Sequence, residues 1–181
     1  MTTGNFPRCN CASGAVLQGV ELAPGLPALQ CPACDGSVLK LDDYRSWQPA
    51  PAAVTQPPHV PEIEDRPSAR SCPACGRLMQ RHRVGSSPDF RVDHCAPCQL
   101  VWLDRGEWPA LTQAGLAGRL AEILTERWQR RLQNDEIRQQ REAALRGKHG
   151  DACLDELARI RTWLAEQPHR DELIALLRTG W

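Results

Sequence analysis

Apolar residues in the last third of the chain recur at intervals of three and four, which is the spacing of an amphipathic helix. The first such stripe comprises Leu116, Leu120, Ile123, Leu124, Trp128 and Leu132. We predict a break at Gly147–Gly150 and expect Asp151 to cap a second helix. The stripe of that second helix comprises Cys153, Leu157, Ile160 and Leu164. A short third helix is predicted over Asp171–Arg178, after Pro168, so that residues 109–181 form an all-α region.

The pattern that precedes this region is shorter and typical of strands. Leu78–Val84 and Phe90–Val92 indicate two strands around a turn, and Leu100–Leu103 indicates a third. Asp104 and Glu107 then stand three positions apart at a helix start, where each carboxylate can bond a free backbone amide. The alternative interpretation is a catalytic acid pair. We favour the capping role because the spacing and context of these residues already explain them.

A proline-rich stretch separates two cysteine-bearing parts of the chain. Residues 48–71 contain six prolines and almost no large apolar side chains. Such a composition cannot bury a core, so we predict an extended, semi-rigid linker. The linker divides the sequence into a first module at 7–47, a second module at 72–108 and the helical region at 109–181.

Nine cysteines set the broad class of the protein. Eight of them form four close pairs, and Cys153 stands alone on the apolar side of its predicted helix, where we expect a packed thiol. The N-terminal residues show no secretory signal pattern. We therefore expect a cytoplasmic protein whose thiols bind metal and do not form a disulfide framework.

The cysteines of the second module have the spacing of a zinc ribbon. Cys72 and Cys75 are followed, after nineteen intervening residues, by Cys95 and Cys98. Two such turns, brought together by a hairpin, place four thiolates around one ion. A pair of redox dithiols is the alternative interpretation.

The first module is less regular because its opening pair, Cys9 and Cys11, has only one intervening residue. Its second pair is Cys31 and Cys34. We predict zinc here as well, with closure inside the module. A damaged module with partly free thiols and a cross-braced arrangement with ligands exchanged between modules remain open.

Four thiolates fill the tetrahedral shell of zinc, whereas catalytic zinc keeps a position for water. We therefore predict two structural zinc ions and no catalytic residues. His82 and His94 lie near the second site in the sequence. Because four cysteines already complete that shell, we expect these histidines to be surface imidazoles and not ligands.

The two modules are related by an internal repeat with an offset of 64 positions. The cysteines so related are Cys11 and Cys75, Cys31 and Cys95, and Cys34 and Cys98. The same offset carries Val38 onto Trp102 and Tyr44 onto Trp108. A match of both cysteines and apolar positions indicates a duplicated module.

The second module carries Cys-Pro-x-Cys from Cys72, a hairpin, Cys-x-x-Cys from Cys95, and then the run Val101–Glu107. In this it resembles the transcription factor IIB-type zinc-finger proteins, which are mostly uncharacterised bacterial proteins. Gln99 and Leu100 replace the glycine pair usual after the last cysteine of that family. The resemblance implies zinc and ribbon architecture, and the family name implies transcription.

The first module resembles a divergent copy that keeps the run Cys31–Gly36 and departs from the family at Cys9–Cys11. Together, these observations predict a small α+β protein. Two zinc ribbons, each a short antiparallel β-hairpin, are joined by the proline-rich linker and followed by the helical tail.

Charge narrows the function further. The chain has 22 basic and 22 acidic residues, which does not favour a strongly basic nucleic-acid binder. No apolar run is long enough to span a membrane, so we expect no membrane partner. We predict a zinc-binding, non-enzymatic interaction module, in a transcription-related or other adaptor role. Its expected partner is a protein, with a homodimer through the helical tail as one option.

Metal storage or delivery would need a labile zinc, which closed shells of this type do not favour, and two other functions stay open at this point. One is a thiol–disulfide redox switch that uses a C-x-x-C pair, since such pairs can have lowered thiol pKa values. The other is weak nucleic-acid binding through an arginine-rich strip in the second module. That strip comprises Arg77, Arg81, Arg83 and Arg91.

Overall fold

The computed structural model describes residues 7–47, 62–63 and 67–180, and the chain divides into two compact units, Met1–Leu132 and Gln133–Trp181. The strands of the first unit are β1 (Gln18–Ala23), β2 (Leu26–Gln30), β3 (Ser37–Lys40), β4 (Gln80–Arg83), β5 (Arg91–Cys95) and β6 (Leu100–Leu103). Its helices are α1 (Leu41–Ser46), α2 (Glu107–Gln113), a 3-10 turn (Ala117–Arg119), α3 (Leu120–Ile123) and the first turns of α4 (Glu126–His149). The second unit contains the rest of α4, α5 (Asp151–Ala165) and α6 (Arg170–Thr179).

The strands form one six-stranded antiparallel sheet with the order β1-β2-β3-β6-β5-β4. Each module contributes three consecutive strands, and the third strands, β3 and β6, pair with each other at the centre. The α+β prediction is confirmed, but the modules share one sheet and are not two separate hairpin ribbons. An unpaired edge strand exposes backbone donors and acceptors. The pairing of β3 with β6 satisfies one such edge from each module.

The register at the centre of the sheet follows the internal repeat. Val38 of β3 lies opposite Trp102 of β6, and these are the two residues that the offset of 64 relates. Leu39 lies opposite Val101 on one side of this pair, and Ser37 lies opposite Leu103 on the other. The two halves are therefore related by a local pseudo-twofold axis that passes between Val38 and Trp102.

Helices cover one face of the sheet and bury the larger core. Alternate strand residues such as Leu39, Val101 and Leu103 point into this core. Tyr44 of α1 joins it to the helices, because its hydroxyl donates to the carbonyl of Ala117 and accepts from the amide of Leu120, at 2.9 Å each. We call this side of the sheet the helix face.

The predicted apolar stripe at 116–132 does lie against this core, but it is not one helix. Leu120, Ile123 and Trp128 are buried, and they are divided between α3 and α4. The break occurs at Thr125, whose hydroxyl accepts a hydrogen bond of 3.2 Å from the amide of Trp128. A threonine in this position caps the helix that follows and so starts α4 anew.

The opposite face of the sheet carries the cysteines and a smaller core. Leu17, Val38, Met79 and Trp102 pack there among the buried cysteines. Side chains on a strand alternate between faces, so Trp102 lies on this cysteine face while its neighbours Val101 and Leu103 lie on the helix face.

Most of the predicted linker lies outside the described residues, which resume at 62–63 and at 67. Its last two residues belong to the folded second module. Arg70 is buried, and Ser71 forms a β-bridge with Leu78. The ordered module therefore includes Arg70, although the composition placed this residue in the linker.

The second unit has little core of its own. Among its described residues, only Leu164 is buried. Cys153 is exposed, so the expected packed thiol is wrong. α4 continues to His149, and Gly150, with φ +85°, is the cap of α5 in place of Asp151. No described helix combines the length and the apolar character needed to cross a membrane.

Candidate metal centres

The first cysteine cluster closes within its own module. The sulfurs of Cys9, Cys11, Cys31 and Cys34 all lie within 4.8 Å of one another. The Sγ atoms of Cys9 and Cys34 are 3.6 Å apart, and those of Cys11 and Cys31 are 3.8 Å apart. Each cysteine of the second pair thus meets one of the opening pair, and the group could hold a metal ion.

The second cluster repeats this arrangement. The sulfurs of Cys72, Cys75, Cys95 and Cys98 also lie within 4.8 Å of one another, and Cys75 Sγ is 3.7 Å from Cys95 Sγ. Both clusters take all four cysteines from one module. The cross-braced arrangement is therefore not the one that the fold adopts.

The sulfur separations match a tetrahedral site for zinc. With Zn–S near about 2.3 Å, the edge of a regular tetrahedron of sulfurs is about 3.8 Å long. The measured separations of 3.6, 3.7 and 3.8 Å are close to that edge. They are far longer than a disulfide, whose sulfurs lie about 2.0 Å apart. The donor set and its spacing thus fit two four-coordinate ions with soft ligands.

The turn that follows the irregular opening pair, Cys9 and Cys11, is one residue longer than the corresponding turn of the second module. In the second module, the amide of Cys72 donates to the carbonyl of Arg77, five residues later, at 2.7 Å. In the first module, the amide of Cys9 donates to the carbonyl of Ala15, six residues later, at 2.8 Å. Gly14, with φ +57°, turns the chain back between them. The missing residue between the two cysteines is therefore compensated outside the pair.

The closing turns of the two modules share one backbone conformation. Asp35 and Gln99, which are related by the repeat, are the non-glycine residues with positive φ in the described chain, at 56° and 51°. The residues that follow them differ. A Cβ on Gly36 would lie 2.5 Å from Cζ2 of Trp102, whereas the equivalent Leu100 carries a full side chain. Gly36 is required because the ring of the other module lies against it.

Without a cation, the thiols of each cluster compete for protons. Burial raises the pKa of Cys9, while the pKa of Cys11 is lowered to about 6, chiefly by its hydrogen bond with the Ser13 hydroxyl. In the second cluster, the backbone amide of Arg77 lowers the pKa of Cys75 to about 7. Opposite shifts within one cluster mean that four neighbouring thiolates do not form together unless positive charge is supplied. A divalent cation supplies that charge.

The two histidines near the second cluster are not surface imidazoles, which corrects the sequence expectation. His82 is buried on β4 opposite Val92, and His94 is partly buried, with 5.6 Å between the ring centres. Neither nitrogen of His82 has a hydrogen-bond partner among the described residues. Burial, and then His94, lowers the pKa of His82 to about 4. Neither histidine belongs to a cluster that could hold metal.

The two residues of the predicted acid pair, Asp104 and Glu107, have different partners. Glu107 Oε2 accepts from the amide of Asp104 at 2.7 Å, as the sequence predicts, but α2 begins at Glu107 and its N-cap is Gly106. The carboxylate of Asp104 instead accepts from Arg70 Nη2 at 2.6 Å and from Trp102 Nε1 at 2.9 Å. Sequence reasoning missed Arg70, because nothing in a proline-rich segment marks one arginine as buried.

The arginine-rich strip is partly neutralised by neighbouring carboxylates. Arg81 Nε lies 3.7 Å from Asp93 Oδ1, and Arg83 forms a salt bridge with Asp89. Arg77 and Arg91 are exposed. The structure thus brings Arg81, Arg83 and Arg91 onto the neighbouring strands β4 and β5, where Asp93 lies opposite Arg81.

Comparisons of the chain with protein-family models, with curated proteins and with solved structures find no match. The resemblance to the transcription factor IIB-type zinc-finger proteins therefore stays a prediction.

Proposed function

We propose that this protein is a zinc-binding, non-enzymatic interaction module with two structural zinc ions. The observation that carries the proposal is the pair of four-cysteine clusters, each with all its sulfurs within 4.8 Å. Four thiolates complete a tetrahedral shell and leave no position at which a substrate or water could be activated. Metal bound in this way contributes to folding, since the site does not exist in the unfolded chain.

The second unit supplies the surface for interaction in this proposal. Trp163 and Leu177, which are 50 and 67% exposed, line one groove with Ile160, Leu173 and Leu176. Grouped apolar exposure of this kind favours a protein partner, because soluble proteins rarely leave large apolar patches uncovered. We expect the partner to be a second copy of the chain. The same surface would also serve an adaptor that binds another protein, including one involved in transcription.

Nucleic-acid binding is less favoured by the charges. Neutralising phosphates requires basic side chains that are free to contact them. Asp93 and Asp89 lie against Arg81 and Arg83 in the strip that the sequence singled out. A redox role is less favoured because eight cysteines are arranged as closed metal shells, which protect thiolates from oxidation and alkylation. The proposal implies a reducing compartment such as the cytoplasm.

The test is native mass spectrometry of protein produced in medium that contains zinc, followed by alkylation under native conditions. We expect two zinc ions per chain and alkylation of Cys153 alone, since that thiol is exposed and outside both clusters. A chain without metal, or with cysteines of the clusters alkylated or joined in disulfides, would overturn the zinc-binding proposal.

The interaction surface is tested by light scattering of the full zinc-loaded chain. We expect a dimer that Leu177→Glu dissociates. Leu78→Glu is the matched control, because Leu78 is 73% exposed and lies in the first unit. A monomeric mass for the natural protein, or equal effects of the two variants, would refute self-association through the helical unit.

A further inference from the structure

The two candidate metal centres belong to halves that are joined along a common seam. The seam consists of the ladder between β3 and β6, the ring of Trp102 against Gly36, and the contact of Asn10 with Ser71. In that last contact, Asn10 Nδ2 donates to the carbonyl of Ser71 at 2.6 Å. Asn10 lies between the first two cysteines of one cluster, and Ser71 immediately precedes the first cysteine of the other.

A buried charge cluster lies at this seam. Arg70 Nε and Nη2 donate to Asp104 Oδ1 at 2.9 and 2.6 Å, and Trp102 Nε1 donates to the same oxygen at 2.9 Å. The guanidinium also lies 4.4 Å from the centre of the Trp102 ring. Trp102 thus lies against both Arg70 of its own module and Gly36 of the other module.

We propose that the two zinc sites are thermodynamically coupled, so that filling either site raises the zinc affinity of the other, and that Arg70 carries part of this coupling across the seam. The proposal rests on the zinc-binding function given above. Each small half folds on its metal. The third strand of a folded half then provides an edge on which the third strand of the other half can pair. The second half also presents Trp102, which Arg70 holds in position. Such coupling is reciprocal by necessity.

The test is a titration of the full apo chain with zinc, followed by native mass spectrometry at one zinc ion per chain. Independent equal sites would leave about half of the chains with a single ion. A coupling of about 30-fold, within the usual range, leaves only about one chain in six with one ion. We expect the second result. A single-ion species at half of the chains or more, together with an unchanged zinc affinity of the first site when Cys95→Ser and Cys98→Ser empty the second, would refute the coupling while leaving zinc binding intact. Failure to bind any zinc would instead refute the proposed function.

The role of Arg70 is tested with Arg70→Gln beside the control Arg77→Gln. Arg77 is exposed and, like Arg70, lies two positions from a cysteine, yet its side chain takes no part in the seam. We expect Arg70→Gln to raise the single-ion fraction at least twofold and Arg77→Gln to leave it unchanged. Equal behaviour of the two variants would overturn the role of Arg70.

Arg70→Gln also leaves the carboxylate of Asp104 buried without its cation, which is itself destabilising. The double variant Arg70→Met with Asp104→Asn removes both charges and keeps an acceptor for Trp102 Nε1. We expect it to restore thermal stability while the single-ion fraction stays raised. A fraction that returns to the natural value would show that the single variant acted through fold damage, and would refute a role of the contact between Arg70 and Trp102 in the coupling.

Discussion

Replacement of Gly36 by alanine tests whether the two modules are packed as one body. The added Cβ would lie 2.5 Å from Cζ2 and 2.9 Å from Cε2 of Trp102, where contacts of about 3.4 Å or more are normal. The Gly36 backbone is not in the left-handed region, so alanine adds no conformational strain there. Trp102 is buried under Arg70 and cannot swing aside. Overpacking of this kind costs about 1–3 kcal/mol.

Gly19→Ala is the matched control for this substitution. Gly19 lies on β1, a Cβ added to it would meet no described atom within 4 Å, and it needs no special backbone conformation. Alanine there is expected to be neutral or to stabilise by about 0.4–1 kcal/mol. Denaturant unfolding of both zinc-loaded variants at equal zinc concentration measures the difference. Equal unfolding free energies for Gly36→Ala and Gly19→Ala would refute the packing of the second module against the first.

Three further perturbations have expected outcomes. Tyr44→Phe leaves the amide of Leu120 without its acceptor and is expected to cost about 1–3 kcal/mol in denaturant unfolding; a smaller effect than Ser46→Ala, on the exposed end of α1, would contradict this. Burial lowers the pKa of His82 to about 4, from about 6.5 in the unfolded chain, so the stability that its neutral form contributes is lost as the pH falls from 6.5 to 4, by up to about 3 kcal/mol. His82→Leu is expected to remove this dependence, and curves parallel to those of the natural protein would argue against it. Removal of metal by a chelator is expected to abolish cooperative unfolding of the first unit, as followed by tryptophan fluorescence, and retention of a native spectrum without metal would contradict a structural role for zinc.

The grouping of the cysteines could be predicted from the sequence because ligand spacing within a module is a local property. The repeat that relates Val38 to Trp102 was also visible, and it turned out to mark the centre of the sheet. What spacing does not specify is which strand edges meet. The pairing of β3 with β6 depends on contacts between residues sixty or more positions apart, and a repeat in the sequence is equally compatible with two independent ribbons.

The errors at single residues have specific physical causes. Thr125 caps a new helix inside a continuous apolar stripe. The helical spacing of apolar residues therefore continues across a position at which one helix ends and the next begins. Arg70 is buried because Asp104 neutralises it, and no local pattern links the two. Cys153 follows the spacing of an apolar stripe, but that face has no core to cover it.

The central claim is that the fold is built on two zinc sites, each closed by four cysteines. X-ray absorption at the zinc edge of the fully loaded chain tests it most directly. We expect a single shell of four sulfur atoms per zinc at about 2.3 Å, averaged over two ions per chain. A shell that contains nitrogen or oxygen ligands, or fewer than four sulfurs, would contradict this assignment of both sites.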